Sequence, residues 1–354
     1  MNYIGSKFNI MDFISKSIFK VVGTDFELFC DLFSGTGSVG IHFKEKGHKV
    51  ISNDFQYYSY VLSRHYIGNN RPLKFEGLVD KLEVNNRLYH DAYERVCSHL
   101  NSLPGIEGFI YNNYCWGGTH NSKYPRRYFS DHNGKKSDHI RITIEEWKSQ
   151  DLINNDEYFY LLATLIESLD KYANTASVYG AFLKKLKKTA QKEMKLQYLP
   201  LYKSHKENEV YNLDCNKLIT LIEGDVLYMD PPYNHRQYAA NYHVLETVAK
   251  YDNPVLYGVT GLRDYTRQKS LFGYKNKALD QLETLVSKAK FNYIFLSYNN
   301  EGIMSTSDIE NIMSKYGKYG VFIQKNGRFK ADKNENRKYK SDHTFEYVHY
   351  IKKH

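Results

Sequence analysis

Residues 26–33, FELFCDLF, form a short apolar run that breaks at a glycine-rich stretch. That pattern predicts a buried strand entering a turn. GTGSVG then leads into a helix over Val39–Lys46, Gly47 ends it, and HKVISND reads as the next strand. Strand, turn, helix and strand make a βαβ unit and imply a parallel sheet. FQYYSYVLSR, residues 55–64, has the spacing of a helix. The pattern changes over residues 85–212, where clear strand runs are lacking. A turn-rich aromatic and basic stretch, YNNYCWGGTHNSKYPRRYFSDHNGKK, is followed by two helical patterns. In one, Tyr158, Leu161, Leu162, Leu165, Ile166 and Leu169 fall on one helical face. In the other, AFLKKLKK, Phe182, Leu183 and Leu186 form a narrow apolar stripe beside lysines. Strand character resumes with EGDVLYMD and FNYIFLSYNN. The ending, RFKADKNENRKYKSDHTFEYVHYIKKH, predicts a strand, a charged turn and a strand. The elements describe one α/β domain in two parts, 1–84 and 213–354, split by a mostly helical insertion at 85–212.

Composition adds limits. The chain has 354 residues, 42% of them hydrophobic, enough for a substantial core. No run of 18 apolar residues predicts a membrane span, and MNYIGSKFNI has no apolar signal core, so a cytoplasmic protein is expected. Cys30, Cys97, Cys115 and Cys215 are scattered with no CxxC pair, and no HExxH occurs. No disulfide framework or metal site is expected. The net charge of +9 suits a polyanionic partner, although AT-rich codon usage would also yield the many Lys, Asn, Ile and Tyr residues.

Two motifs carry chemistry. GTGSVG matches GxGxxG through Gly35, Gly37 and Gly40, between a strand and a helix. Asp54 ends the next strand, where it can accept hydrogen bonds from both ribose hydroxyls of an adenosine ligand. A dinucleotide would bring its pyrophosphate to the helix N-terminus, where Asp31 would repel it. Asp31 favours a cofactor carrying an amino group, S-adenosyl-methionine.

The second motif is the tip LYMDPPY. Proline cannot donate to a sheet ladder, so the strand stops at Asp230, and Pro231 and Pro232 stiffen the chain beyond it. An adenine amine is a poor nucleophile because its lone pair is delocalised into the ring. Asp230 and the Pro231 carbonyl can accept its two N–H groups and localise that lone pair, while Tyr233 offers a ring for the base to stack on. N6 cannot leave the stack without base flipping. A plain strand-ending turn is the bland reading of the same four residues.

With the glycine loop upstream, the sequence resembles the α-class, D12-type DNA adenine-N6 methyltransferases of restriction–modification systems. AsnTyrIleGlySerLys at the N-terminus resembles their first cofactor motif, DLFSGTGSVG and SerAsnAsp the next two, and YNLDCNKLI the acidic segment that meets the cofactor adenine. The resemblance spans nearly the whole chain. It implies a Rossmann-like α/β sheet with an inserted, mostly helical target-recognition domain. It further implies a site-specific adenine methyltransferase using S-adenosyl-methionine on double-stranded DNA, with a cognate restriction endonuclease as a possible companion. Cofactor residues would be Tyr3, Lys7 (on the cofactor carboxylate), Asp31, Phe33, Ser34, Gly35, Thr36, Gly37, Asp54, Asp214 and Asp230. The insertion would read DNA, with Asn112, Asn113, Lys123, Arg126, Arg127, Tyr128, Lys135 and Lys136 as candidate contacts. Lys184–Lys188 reads as a solvated helix face that would meet phosphates rather than bases, residues 261–269 could approach DNA, and Asn299, at the end of a predicted strand, could help shape the pocket. A cytosine-N4 enzyme would more usually carry Ser at the position of Asp230. An RNA adenine enzyme would not need so long an insertion, and an idle DNA-binding protein would not need both motifs intact.

Overall fold

In the computed structural model, residues 3–79, 81–82, 92–327 and 343–354 are described. Their backbone contacts divide the chain into two compact units. One comprises residues 1–4, 64–203 and 239–266, the other 5–63, 204–238 and 267–354.

The second unit is built on a seven-stranded sheet. Its strands are β1 (Leu28–Asp31), β2 (Lys49–Asn53), β3 (Glu209–Tyr211), β4 (Glu223–Met229), β7 (Lys290–Asn299), β8 (Gly317–Gly327) and β9 (His343–Lys353), in the order β3-β2-β1-β4-β7-β9-β8. Neighbouring pairs from β3 through β7 are parallel, and β9 runs antiparallel to both β7 and β8. Side chains alternate between faces. On one face Cys30, Leu227, Met229, Ile294, Leu296 and Ile351 meet the helices Ala278–Lys288 and Thr306–Met313 in a buried core. On the other, helix α1 (Met11–Val22) packs against β7 and buries Ile14 and Ile18 completely. Each such burial is worth about 1.5–3 kcal/mol. Helix α2 (Ser38–Glu45) follows β1 as expected. The order reverses between β1 and β4, the place where open α/β sheets bind ligands. The predicted charged turn between the last strands, at residues 328–342, lies outside the described residues.

The first unit is mostly helical. As the sequence pattern predicts, helix Asn155–Tyr172 buries Leu161, Leu162, Leu165, Ile166 and Leu169; it starts with a capping box between Asn154 and Glu157. Two expectations differ. The stretch read as turn-rich contains the start of a 19-residue helix, Asp131–Ser149, whose N-cap Ser130 accepts from the Asn133 amide. Gly134 is needed within it, since a Cβ there would stand 2.1 Å from Cys115 Sγ. Conversely, residues 181–188 are not helical. Asn174 supplies their partners instead: its carbonyl accepts from the Leu183 amide, its side-chain oxygen from the Lys187 amide, and its side-chain amide donates to the Leu183 carbonyl.

The unit boundaries also depart from the expected 85–212 insertion. The 84/85 boundary lies outside the described residues. Residues 239–266, counted by sequence with the catalytic part, belong to the helical unit. Arg141 Nε and Nη2 donate to the carbonyls of Val248 and Ala249 there.

Candidate active site

The ends of β1, β2 and β4 assemble the site. After β1, Gly35 and Gly37 adopt φ of 53° and 80°, a left-handed backbone that favours glycine. The Ser34 amide donates to the Asn53 carbonyl, and the Gly37 amide to the Ser34 carbonyl, which closes the loop. The Ser34 hydroxyl meets Ser63 at 3.2 Å, the Thr36 hydroxyl meets Ser38 at 3.1 Å, and Phe33 stands edge-on to Phe272. Asp54 accepts from the Gly35 amide at 2.8 Å and the Gln56 amide at 2.8 Å, so the acidic residue is tied directly to the glycine loop. Asp214 caps the short helix Cys215–Leu218 through the Asn216 amide. Asn53 exchanges hydrogen bonds with the Leu213 backbone, and the Asn212 side chain donates to the Asp54 carbonyl. Asp54 and Asp214 therefore stand on adjoining, mutually bonded segments.

Asp31 is the unusual group here. It is 1% exposed, and neither carboxylate oxygen has a well-formed hydrogen bond among the described residues. Burial, then the charges of Asp230 and Asp54, push its pKa up to about 8, against weaker pulls from the Gly40 and Phe33 amides. An uncompensated buried carboxylate is costly. A cationic amino group beside it would remove that cost. The donor set thus fits the ammonium and ribose of S-adenosyl-methionine.

At the end of β4, Asp230 meets Lys7, with Nζ 3.1 Å from Oδ1. The same ammonium lies 5.6 Å from the centre of the Tyr233 ring. Burial raises the Asp230 pKa, and Lys7 opposes the rise. Burial lowers the Lys7 pKa, but Asp230 first and then Glu346 outweigh it, leaving the amine above its ordinary value. The resemblance places Lys7 on the cofactor carboxylate, whereas here its nearest anion is the protein's own Asp230. Gly5 (φ 84°) lets the chain turn toward the tip, since a Cβ there would lie 2.6 Å from the Tyr238 hydroxyl. The Tyr233 carbonyl accepts from the Ile303 amide, and its ring stands edge-on to Tyr298. No donor among the described residues takes the Pro231 carbonyl. The tip presents a carboxylate, a free carbonyl and a fixed aromatic face.

Within the helical unit, Tyr3 stacks on Tyr242 at 4.8 Å. Several residues expected to read DNA have their polar groups committed internally. The Arg126 guanidinium donates to the carbonyls of Asn113, Gly258 and Val259, and Tyr128, fully buried, donates to those of Tyr179 and Thr260. His243 and Tyr114 add bonds to the Thr260 and Gly261 carbonyls. These residues cage the turn between β5 (Leu256–Tyr257) and β6 (Leu262–Arg263), and Arg263 pairs with Asp252 at 2.6 Å. Lys136, 2% exposed, pairs with Glu193, and Lys135 with Glu107. Asn112 and Asn113 side chains donate to the carbonyls of Glu107 and Phe109. Arg127 stacks on Trp116, which is 45% exposed, and Lys123 lies over Tyr124. Asn299 accepts from the Glu301 amide in a strand-end turn.

Sequence reasoning passed over Glu346. It lies on β9 opposite Asn299, and its Oε2 is buried without a hydrogen-bond partner among the described residues. Its only sequence signal is that it is the one acidic residue in the strand HTFEYVHYIKK. No group of three His, Cys, Asp or Glu side chains among the described residues could hold a metal, and no described helix is long and apolar enough to cross a membrane.

Comparison with known proteins agrees with this geometry. The family model of the D12 class N6 adenine-specific DNA methyltransferases matches residues 3–312. The chain is 48% identical over 356 residues to the type II methyltransferase M.NlaIII of Neisseria lactamica, covering all of this chain and 99% of the relative. It is 40% identical over 363 residues to the type II methyltransferase M.FokI of Planomicrobium okeanokoites, of which it spans 53%. It is 34% identical over 333 residues to the type II methyltransferase M.CviAII of Paramecium bursaria Chlorella virus 1, covering 94% of this chain and 93% of the relative. A glycine loop at the end of β1, an AspProProTyr tip at the end of β4 and a match across most of the sequence lead to one conclusion: the chain belongs to the D12 class of N6 adenine-specific DNA methyltransferases.

Proposed function

We propose that this chain methylates N6 of one adenine within a short site in double-stranded DNA, with that base extruded from the stack and S-adenosyl-methionine as donor. When bound, S-adenosyl-methionine supplies an electrophilic methyl group on a sulfonium. Asp31, Asp54 and Asp214 would hold its ammonium, ribose and adenine, with Tyr3, Phe33 and the loop Ser34–Gly37 around it.

Asp230 and the Pro231 carbonyl accept the two N–H groups of the target amine. Two fixed acceptors localise the lone pair on N6, the electron pair that alkylation requires. Pro231 and Pro232 keep those acceptors from relaxing, and Tyr233 stacks on the extruded ring. Asp230, with its proton affinity raised by burial, is placed to receive the proton that the methylated amine loses. The single observation that carries this reading is the position of Asp230 at the end of β4, beside the Asp31 strand. Base contacts are assigned to the exposed Lys123 and to the Arg127–Trp116 pair, and phosphate contacts to Lys184–Lys188. Arg126, Tyr128 and Lys136 serve as a scaffold for that surface.

The relatives carry the names of type II systems, which supports a modification role in the cytoplasm, paired with an endonuclease for the same site. Incubating the protein with S-adenosyl-methionine and duplex DNA, then quantifying methylated nucleosides, tests the reading. N6-methyladenine is expected, and N4-methylcytosine or no product would contradict it.

A further inference from the structure

The face of the sheet under α1 carries an unexplained row of polar groups. Asp31 pairs with Tyr228 across β1 and β4, and Tyr228 with Phe295 across β4 and β7. Two residues further along β7 is Ser297, and two beyond that Asn299, whose partner on β9 is Glu346. By strand alternation these side chains, with Asp230 just past β4, project from one face. Asp31, Tyr228, Ser297 and Glu346 each have a buried oxygen without a well-formed hydrogen bond among the described residues. Among the described residues, Lys7 is the cation whose charge acts on Asp230 and on Glu346 alike.

Taking the methylation reading above as its basis, we propose that Glu346 is a positioning residue of the reaction. From β9 its carboxylate draws on the same Lys7 ammonium that Asp230 holds, and so keeps Lys7 from capturing both oxygens of the Asp230 carboxylate. Lys7 stands 3.1 Å from Oδ1, and this leaves Oδ2 for the N–H of the target adenine. A lysine shared between two carboxylates screens each of them less than a lysine paired with one. Glu346 thus preserves Asp230 as an acceptor while Lys7 keeps it ionised. Glu346 is itself held partly back from ionisation by burial, and the negative charges of Asp230 and Glu301 act against it while Lys7 favours it. Tyr228 and Tyr233 complete the titratable groups that face this cluster.

The test compares single-turnover methylation rates of the full chain and its variants, with a DNA duplex and S-adenosyl-methionine saturating, across pH. In Glu346→Gln, Lys7 falls wholly to Asp230. The rate plateau should drop about 10-fold to 100-fold, the scale of a displaced reactive geometry. The acid limb should move to lower pH, because Asp230 loses a negative neighbour and ionises more readily. Glu346→Asp keeps the charge and should hold the limb at the wild-type position. In a Lys7→Met background, Glu346→Gln should no longer lower the plateau, since the residue acts through Lys7. A wild-type plateau and limb in Glu346→Gln would overturn the proposal, as would a lowered plateau with the limb unmoved, which marks a structural role. A wild type that makes no N6-methyladenine overturns the underlying reading instead, and is seen before any variant is compared.

Discussion

Lys7 Nζ lies 3.1 Å from Asp230 Oδ1, which joins the N-terminal segment to the tip of β4 by a buried ion pair. Removing one partner of such a pair leaves the other charge uncompensated. With Lys7→Ala, the Asp230 carboxyl should become harder to ionise. The acid limb of the methylation rate should then move to higher pH, opposite to the shift expected for Glu346→Gln. A pH–rate profile of the variant checks this.

Asp230→Ala removes the carboxylate proposed to accept from the target amine. Turnover should fall by at least about 10²-fold, the usual cost of losing one preorganised polar group. Cofactor and DNA affinity, measured separately, should change far less. Tyr233→Ala should weaken binding of the extruded base by roughly 1–3 kcal/mol, the range for base–aromatic stacking. A fluorescent adenine analogue at the target position reads that change.

Asp31 predicts a pH dependence whose sign can be worked out. Its pKa is raised from 3.8 to about 8, so between those values the folded free protein binds a proton that the unfolded chain has released. The folding penalty of Asp31 is therefore absent below the unfolded pKa, grows as pH rises, and is complete above about pH 8. Asp31→Asn should flatten that part of the stability curve in thermal unfolding. Binding a cation-bearing cofactor should ionise Asp31 and release about one proton at pH 7, and progressively less above pH 8. Calorimetry in buffers of different ionisation enthalpy measures the release, and Asp31→Asn should abolish it.

Arg126 and Arg127 are neighbours in different settings, Arg126 buried against three backbone carbonyls and Arg127 stacked on the exposed Trp116. Arg126→Ala strips donors from the Asn113, Gly258 and Val259 carbonyls and should cost about 1.5–3 kcal/mol of stability for each charged hydrogen bond not replaced by water. Arg127→Ala removes an exposed donor to the Lys184 carbonyl and the stack on Trp116, so it should cost less stability than Arg126→Ala, weaken DNA binding and reduce its salt dependence. Chemical unfolding and a salt titration of DNA affinity separate the two.

The strand ends that frame the candidate site were legible because glycine and proline mark them, and the backbone limits of both are written in the sequence. Asp54 beside the glycine loop and Asp230 ahead of two prolines follow from that punctuation. Arg126, Tyr128 and Lys136 misled for a physical reason. A donor reads the same in sequence whether its acceptor is a base edge or a buried carbonyl, and only the fold brings Gly258 and Val259 to Arg126. Residues 181–188 have helical spacing, yet Asn174 supplies the hydrogen bonds a helix would have made. Glu346 was invisible because its relation to Lys7 and Asp230 passes through β7 and β9, with no local pattern to announce it.

The most direct test of the central claim is to express the chain in a host lacking adenine methylation and sequence the host DNA for modified bases, beside the Asp230→Ala variant. N6-methyladenine at one short recurring motif is expected with the wild type, and its loss with the variant. Modified cytosine, unmodified DNA from the wild type, or undiminished adenine methylation with Asp230→Ala would contradict that claim.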